Sequence, residues 1–145
     1  MSNLAHKYED ERRKELLGGK IYTVDSRSIC HFRVVRNIFI VLDKYLASKK
    51  CKVFFGSVDV YLTNDDIVIP DITVVCDESK ITHSKIVGAP DLVAEVLSPS
   101  THERDYGYKK SLYEKHGVKE YWIVDPEYLF VETYQLICIN EVFAD

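Results

Sequence analysis

The sequence predicts one mixed α/β domain, and three observations support that fold class. At 145 residues, the chain is long enough for one domain with its own hydrophobic core. Its segments follow the order hairpin, helix, strands, helix, strands. Its composition, 46% hydrophobic and 29% charged, is ordinary for a globular protein.

The first part of the chain predicts a hairpin and a long helix. Residues 14–24, KELLGGKIYTV, are typical of two short strands around a Gly18-Gly19 turn. From Ser28 to Ser48, apolar residues recur at three- and four-residue steps, which indicates an amphipathic helix with Ser28 as its N-cap. His31 falls in the first helical turn, where a histidine is more often structural than catalytic. The polar residues 1–14 favour a short helix or a loose arm.

The rest of the chain alternates strands with one more helix. Two strand-like pieces flank Gly56-Ser57, and a β-branched strand follows over Ile67–Cys76, where Pro70 favours a sheet edge, a bulge or a strand start. A polar connection over 77–90, with room for one helical turn, leads to a central strand over 91–97. A helix follows from Thr101 to His116, with Ser100 and Glu103 as a capping box. The last two segments, 118–125 and 129–136, are expected to be antiparallel strands.

The cysteines do not suggest a metal or disulfide framework. Cys30, Cys51, Cys76 and Cys138 are widely spaced, with no CxxC pair. Three lie in apolar surroundings and Cys51 lies in the lysine-rich KKCKVFF stretch. We therefore expect buried free thiols rather than a zinc site or a disulfide.

Charge and targeting signals limit the function classes. A net charge of −4 argues against a protein that coats nucleic acid by charge alone, although an enzyme with a local basic surface stays compatible with it. No segment resembles a signal peptide or a membrane span. We expect a cytoplasmic protein without a membrane partner.

One acid interrupts each of two apolar strands. Asp71 follows Pro70 in IPDITVVCD, and Glu95 stands in DLVAEVL. Buried carboxylates are costly unless a cation meets them. Magnesium prefers oxygen ligands, commonly one or two carboxylates, so Asp71 and Glu95 together with the Val96 carbonyl could hold such an ion.

A lysine follows these acids on the next predicted helix. Lys109 shares a helix face with Asp105 and Tyr113, which stand four residues to either side. If that face turns to the sheet, the ammonium reaches the acids and could orient water or stabilise a charged transition state. Spacing allows equally well an exposed Asp105–Lys109 pair with Tyr113 in the core.

Each acid also has a plainer interpretation. Asp71 fits the end of a Pro-Asp turn. Glu95 could lie on a wet strand face by alternation. Glu15, which begins the first strand beside two leucines, fits an exposed strand-end acid.

The segments PDITVVCD, GAPDLVAEVLSPST, RDYGYKKSLYEKHGVKEYWIVDP and VETYQL resemble a large family of restriction-endonuclease-like proteins of the PD-(D/E)XK type, long known as a domain of unknown function. The resemblance runs from about Glu15 to Leu136. It implies a restriction-endonuclease-like core, a mixed sheet flanked by helices with metal ligands on adjacent strands. The family pattern continues past VETYQL, so we expect a single domain over residues 1–145 that is short at its C-terminus.

The resemblance also assigns roles to single residues. Asp71 matches the PD aspartate, and Glu95 matches the acid of the second motif. Leu97 stands where the family pattern usually has a lysine, and Lys109 matches the helix lysine thought to replace it. Glu15 resembles an N-terminal glutamate of the family.

Together these assignments imply an endonuclease that uses Mg²⁺ or Mn²⁺ to hydrolyse nucleic-acid phosphodiester bonds, with DNA as the expected substrate. Its expected catalytic residues are Asp71, Glu95, Lys109 and Glu15, with Asp71, Glu95 and Val96 as metal ligands, and family members are expected to form homodimers. The alternative is a catalytically inactive nuclease-fold binding module, which the acidic composition and the short C-terminus favour.

Overall fold

Two five-stranded sheets organise residues 13–24, 27–99 and 101–136, which this computed structural model describes. The first, here called the central sheet, has the strand order β10-β9-β8-β6-β3. In it β8 and β9 run parallel and the other neighbours antiparallel, so the sheet is mixed, as predicted. Its strands are β3 (Lys52–Phe55), β6 (Ile72–Val75), β8 (Leu92–Val96), β9 (Glu120–Asp125) and β10 (Phe130–Gln135).

The second sheet, here called the hairpin sheet, has the order β2-β1-β5-β4-β7. The predicted hairpin is confirmed, with the turn at Gly18 and Gly19, whose φ values of 59° and 77° glycine adopts without strain. The Gly18 amide donates to Asp66 Oδ1 at 2.7 Å, which fixes this turn against the loop between β4 and β5. The strands are β1 (Lys14–Leu17), β2 (Lys20–Thr23), β4 (Val60–Tyr61), β5 (Ile67–Val68) and β7 (Ile86–Val87).

Helix α1 (Ile29–Leu46) is the predicted amphipathic helix, and it packs against β3 and β8. The Ser28 side chain accepts from the His31 amide at 3.0 Å, which confirms the predicted N-cap. On this face of the central sheet, Val35 packs against a small set of buried residues: Ile72, Ala94, Val96 and Val124.

The opposite face of the central sheet carries the larger core. Because successive strand residues point to opposite faces, Ala94 packs toward α1 and Val93 packs with Tyr113 and Tyr121 on the other side. Strand β8 lies in the middle of the sheet, which confirms the central position predicted from its apolar run.

The predicted strand over Ile67–Cys76 is two strands in different sheets. Strand β5 ends at Val68 and β6 begins at Ile72, so the break falls around Pro70, which has no amide hydrogen to donate to a ladder. The polar connection that follows contains the allowed helical turn, a 3₁₀ helix over Glu78–Lys80. It also contains the two-residue strand β7, which is too short to give a sequence signal.

The predicted helix from Thr101 to His116 is also two elements, α2 (His102–Tyr106) and α3 (Tyr108–Lys115). They meet at Gly107, whose φ and ψ of −99° and −93° are not helical. Thr101 is the N-cap of α2, without a side-chain hydrogen bond to the helix, and the expected capping box involves Ser100, which the structure does not describe. Ser100 and nearly all of the expected N-terminal arm lie outside the described residues. None of the described helices is long and apolar enough to cross a membrane.

The expectation of buried free thiols was wrong for three cysteines. Cys51 and Cys76 form a disulfide, because the antiparallel register that pairs Lys52 with Val75 makes the two cysteines neighbours across β3 and β6. Cys30 is free but exposed. Cys138 lies outside the described residues. Disulfides are rare in the cytosol, so the cytoplasmic location stays a prediction.

We expect Ser28→Ala to lower the free energy of unfolding by about 1 kcal/mol, because the variant leaves the His31 amide without its cap. Ser28→Asp retains a side-chain acceptor and should keep most of the wild-type stability. Urea denaturation followed by circular dichroism measures both. Equal losses in the two variants would show that the cap does not stabilise α1.

Candidate functional site

A buried group of charges lies between the hairpin, the central sheet and the helices; we call it the lysine–carboxylate cluster. Lys109 Nζ lies 2.7 Å from Glu95 Oε1, 2.9 Å from Glu15 Oε1 and 3.9 Å from Asp105 Oδ1. Tyr113 Oη donates to Glu95 Oε1 at 3.0 Å. All five residues are buried. The structure thus brings together three of the four predicted catalytic residues, and the alternative of an exposed Asp105–Lys109 pair was wrong.

Local structure explains how each side chain reaches the cluster. In β1, alternation turns Glu15 and Leu17 inward, so Glu15 is not the exposed strand-end acid that its segment alone suggests. Glu95 lies two residues after Val93 on the same face of β8, the face that α3 covers. Lys109 and Tyr113 are one turn apart on α3 and therefore approach Glu95 together.

Glu15 also joins the cluster to the break between β5 and β6. Its Oε1 accepts from the Ile69 amide at 2.9 Å, in addition to the Lys109 ammonium. The amide of Ile69 is not part of either sheet ladder, so the carboxylate satisfies a buried donor. The hairpin is thereby bonded to the segment that leads into Asp71.

The cluster contains more negative than positive charge, and the pKa values reflect this. Burial raises the pKa of Glu95 well above its usual range, and the charges of Asp105, Asp71 and Glu15 add to the effect against the opposing Lys109. Burial alone would lower the pKa of Lys109, but the carboxylates around it raise that pKa well above its ordinary value.

The Lys109 ammonium therefore stays charged at neutral pH. Since its folded-state pKa is raised, its contribution to stability is fully present below the ordinary lysine value of 10.5. That contribution is lost only as the pH rises through the folded-state pKa.

Asp71 lies beside this cluster, immediately before β6. Its Oδ2 accepts from the Val96 amide at 2.7 Å, and its Oδ1 lies 3.1 Å from His31 Nε2. Burial would raise the pKa of Asp71, but the hydrogen bond and charge of His31, the Arg27 charge and the Val96 amide together lower it. The carboxylate is therefore ionised at neutral pH.

The sheet register brings the two motif acids close together. Ile72 pairs with Ala94, so Asp71, one residue before β6, continues this antiparallel register toward Glu95 of β8. Residues at such positions are close neighbours in a sheet, and the charge of Asp71 raises the pKa of Glu95. Asp71 and Glu95, which belong to successive sequence motifs, are thus neighbours in the fold.

These donors fit a hard divalent cation. Asp71 and Glu95 supply carboxylate oxygens, and the excess negative charge around Lys109 would be balanced by a bound cation. Among the described residues, no group of three or more His, Cys, Asp or Glu side chains is arranged to hold a metal ion. The donors therefore fit a site in which two carboxylates bind the ion and water and substrate oxygens complete its coordination. Magnesium is commonly bound in this way.

A cavity of about 720 Å³ opens at the start of α1; we call it the α1 cavity. His31 belongs to its lining and also contacts Asp71, so it connects the cavity to the acids. The four predicted catalytic residues, Asp71, Glu95, Lys109 and Glu15, are not among the lining residues. The walls come from the start of α1, the residues after β8, helix α2 and the turn between β9 and β10.

His31 is the site residue that the sequence interpretation missed. Its position on the apolar face of α1, four residues before Val35, predicts burial but gives no sign of a contact with Asp71. That contact joins positions 40 residues apart, and only the packing of α1 on the sheet creates it.

Comparisons with known proteins relate this chain to a family described as putative endonucleases. The model of the family Uma2, described as "Putative restriction endonuclease", matches residues 3–142. A protein of Synechocystis, "Uncharacterized protein slr1290", is 27% identical over 129 residues, which are 87% of this chain and 68% of that protein. A crystal structure from Anabaena variabilis, titled a "putative nuclease belonging to DUF820", has a TM-score of 0.72 at 20% identity. That match covers 94% of this chain and 80% of the other, and it shows the shared fold.

We expect Lys109→Met to lower the free energy of unfolding by about 3–5 kcal/mol, because three buried carboxylates lose their counter-charge. The matched control is Lys110→Met on the same helix, whose ammonium lies 4.1 Å from the Tyr134 ring centre and should contribute at most about 1 kcal/mol. Chemical denaturation at pH 7.5 measures both losses. Similar losses would contradict the assigned charge balance.

Proposed function

Because this chain belongs to the Uma2 family, described as "Putative restriction endonuclease", we propose that it is a divalent-metal-dependent endonuclease that hydrolyses nucleic-acid phosphodiester bonds, with DNA as substrate. The observation that carries the proposal is the 2.7 Å contact of Lys109 with Glu95, next to Asp71 on the adjacent strand. Phosphodiester hydrolysis depends mainly on positioning and on stabilisation of negative charge, and carboxylates with a lysine supply both.

In this proposal Asp71 and Glu95, with the Val96 main-chain carbonyl, hold Mg²⁺ or Mn²⁺. Such an ion lowers the pKa of bound water and balances charge on the phosphate. Lys109 contributes a compact positive charge that orients the attacking water and stabilises the charge that builds on the phosphoryl oxygens.

Two further residues support the proposed catalytic groups. Glu15 bonds the Lys109 ammonium at 2.9 Å and keeps it protonated and in place. Tyr113 donates to the same Glu95 oxygen that Lys109 contacts, which fixes the orientation of that carboxylate. Both therefore act through a neighbour in this proposal, as positioning residues.

Burial of the proposed catalytic side chains favours the alternative, an inactive nuclease-fold binding module. Glu95 is 1% exposed, Lys109 4% and Asp71 8%, so a phosphate has little direct access to these side chains. The experiment below separates the two functions, because an inactive module binds nucleic acid or protein without cleaving a substrate.

We expect the wild-type protein to cleave plasmid and single-stranded DNA with Mg²⁺ or Mn²⁺. Asp71→Asn and Glu95→Gln should each lower the cleavage rate at least about a hundredfold, since each removes a charge that the reaction needs. Glu114→Gln, an exposed position on α3, is the matched control and should retain full activity. Gel-based cleavage and calorimetric titration with Mn²⁺ provide two independent measurements.

Loss of Mn²⁺ binding in Asp71→Asn together with loss of cleavage would support the metal role of that carboxylate. Cleavage that persists in the Asp71→Asn/Glu95→Gln double variant would refute the site assignment. A wild-type protein that binds neither metal nor cleaves DNA would favour the binding module.

We also propose a homodimer that forms through β10, an edge strand of the central sheet as far as the structure describes the chain, where Val131 is 52% exposed. Light scattering coupled to gel filtration should give a dimer for the wild type and a monomer for Val131→Lys. Val87→Lys is the control, since Val87 is 45% exposed on an edge strand of the other sheet. A monomeric wild-type protein would contradict the proposal.

A further inference from the structure

We propose that the α1 cavity binds one unpaired nucleotide of the substrate, adjacent to the phosphodiester bond that Asp71 and Glu95 act on. This inference rests on the proposed nuclease function and adds a substrate class to it, nucleic acid with single-stranded character at the cleavage site. Three observations carry it: a positive end of the cavity, a buried histidine there with one unpartnered ring nitrogen, and apolar walls around the remainder.

The positive end of the cavity is the start of α1. This helix is 18 residues long, and its N-cap Ser28, together with Cys30 and His31, lines the cavity. Helix N-termini attract phosphate, because their first amides have no partner within the helix and the helix dipole is positive there. Arg27 adds a full positive charge at the same place, and its guanidinium donates to Ser98 Oγ at 3.4 Å.

His31 indicates independently that a ligand belongs there. The side chain is only 4% exposed, it lines the cavity, and its Nδ1 has no hydrogen-bond partner within the described ranges. Its Nε2 lies 3.1 Å from Asp71 Oδ1 and is paired with that carboxylate, so Nδ1 is the ring nitrogen that a ligand would satisfy. Buried polar atoms are normally satisfied, and a phosphate oxygen at the start of α1 would accept from this imidazole.

The remainder of the cavity suits a base and a sugar. Its apolar walls include Leu97, Pro99 and Pro126, and Tyr128, 73% exposed, stands at its margin as a surface for stacking. The volume of about 720 Å³ falls within the usual range of small-molecule pockets and exceeds what a phosphate alone would occupy.

Acidic residues in the lining restrict the ligand to a single phosphate. Glu103, Asp125 and Glu127 would repel a second phosphate but accept hydrogen bonds from base amino groups and sugar hydroxyls. Asp125 Oδ1 already accepts from the amides of Glu127 and Tyr128, so this wall is fixed by its own turn. One nucleotide, with one phosphate toward α1, therefore matches the charge distribution.

A base in this cavity cannot remain stacked and paired in a duplex. Placing it there requires unstacking, which is least costly in single strands, flaps and frayed ends. We therefore expect the protein to bind single strands more tightly than blunt duplexes of equal length.

The test is fluorescence anisotropy in EDTA, where neither metal binding nor cleavage contributes. The probes are 5′-fluorescein-labelled dT8, rU8 and a blunt DNA duplex of eight base pairs. Tyr128→Ala should weaken single-strand binding roughly five- to hundredfold, the effect of losing one stacked base, and leave duplex binding unchanged. The matched control is Tyr45→Ala, an equally exposed tyrosine, at 65%, on α1 and outside the cavity lining.

A second variant tests the phosphate end. Arg27→Ala should reduce the slope of log affinity against log salt concentration for dT8 by about 0.7, the value for one phosphate contact on a single strand. Arg36→Ala, which changes an exposed arginine on α1 outside the cavity lining, should leave the slope unchanged. This readout does not depend on whether the protein cleaves its substrate.

The outcomes separate this inference from the proposed catalysis. Weaker single-strand binding by Tyr128→Ala, together with the expected salt slope of Arg27→Ala, supports nucleotide binding in the cavity. This holds even if the protein does not cleave DNA, a result that would count against the nuclease function alone. Equal binding by Tyr128→Ala and Tyr45→Ala, or wild-type binding that favours the duplex, overturns the inference even if cleavage depends on Asp71. Tighter binding of dT8 or of rU8 would support the cavity and assign it to DNA or to RNA.

Discussion

The ammonium of Lys109 is the interaction on which the rest of the structure depends. It bonds Glu95 of the central sheet and Glu15 of the hairpin, and it lies near Asp105 of α2. An isolated buried charge would destabilise the fold by several kcal/mol, so these elements must pack together to keep the charges compensated. The same arrangement leaves an excess of carboxylates, and a fold with that excess is well suited to take up a cation.

Strand β8 connects the two parts of the proposed site. Glu95 points into the lysine–carboxylate cluster, the Val96 amide holds Asp71, and Leu97 belongs to the lining of the α1 cavity. Three consecutive residues at the end of β8 thus contact the cluster, the acid beside it and the cavity. The rigidity of a central strand fixes the distances among them.

Much of the site could be predicted from the sequence, because its signals are local. An acid in an apolar strand is recognisable without a structure, and so is the one-turn spacing that places Lys109 and Tyr113 on one face. The membership in Uma2 confirms the family resemblance that the motifs indicated. The assigned roles of Asp71, Glu95, Lys109 and Glu15 stay predictions until the variants are measured.

What the sequence did not reveal depends on contacts between distant residues. The Cys51–Cys76 disulfide follows from the register of β3 against β6, which no local pattern specifies. The contact of His31 with Asp71 requires α1 to pack on one particular side of the sheet. The helix interruption at Gly107 does not depend on distant contacts, because glycine is a recognised helix breaker. The helical spacing of residues on both sides of Gly107 concealed the break.

The bond between Glu15 and Lys109 joins residues separated by 94 positions. Contacts of such long range form late, because the chain must first lose the entropy of closing a large loop. During synthesis the hairpin leaves the ribosome long before its lysine partner does, and it must wait for α3. A nascent or misfolded chain therefore lacks a positioned lysine, and under the proposed nuclease function this delay would protect the cell that makes the protein.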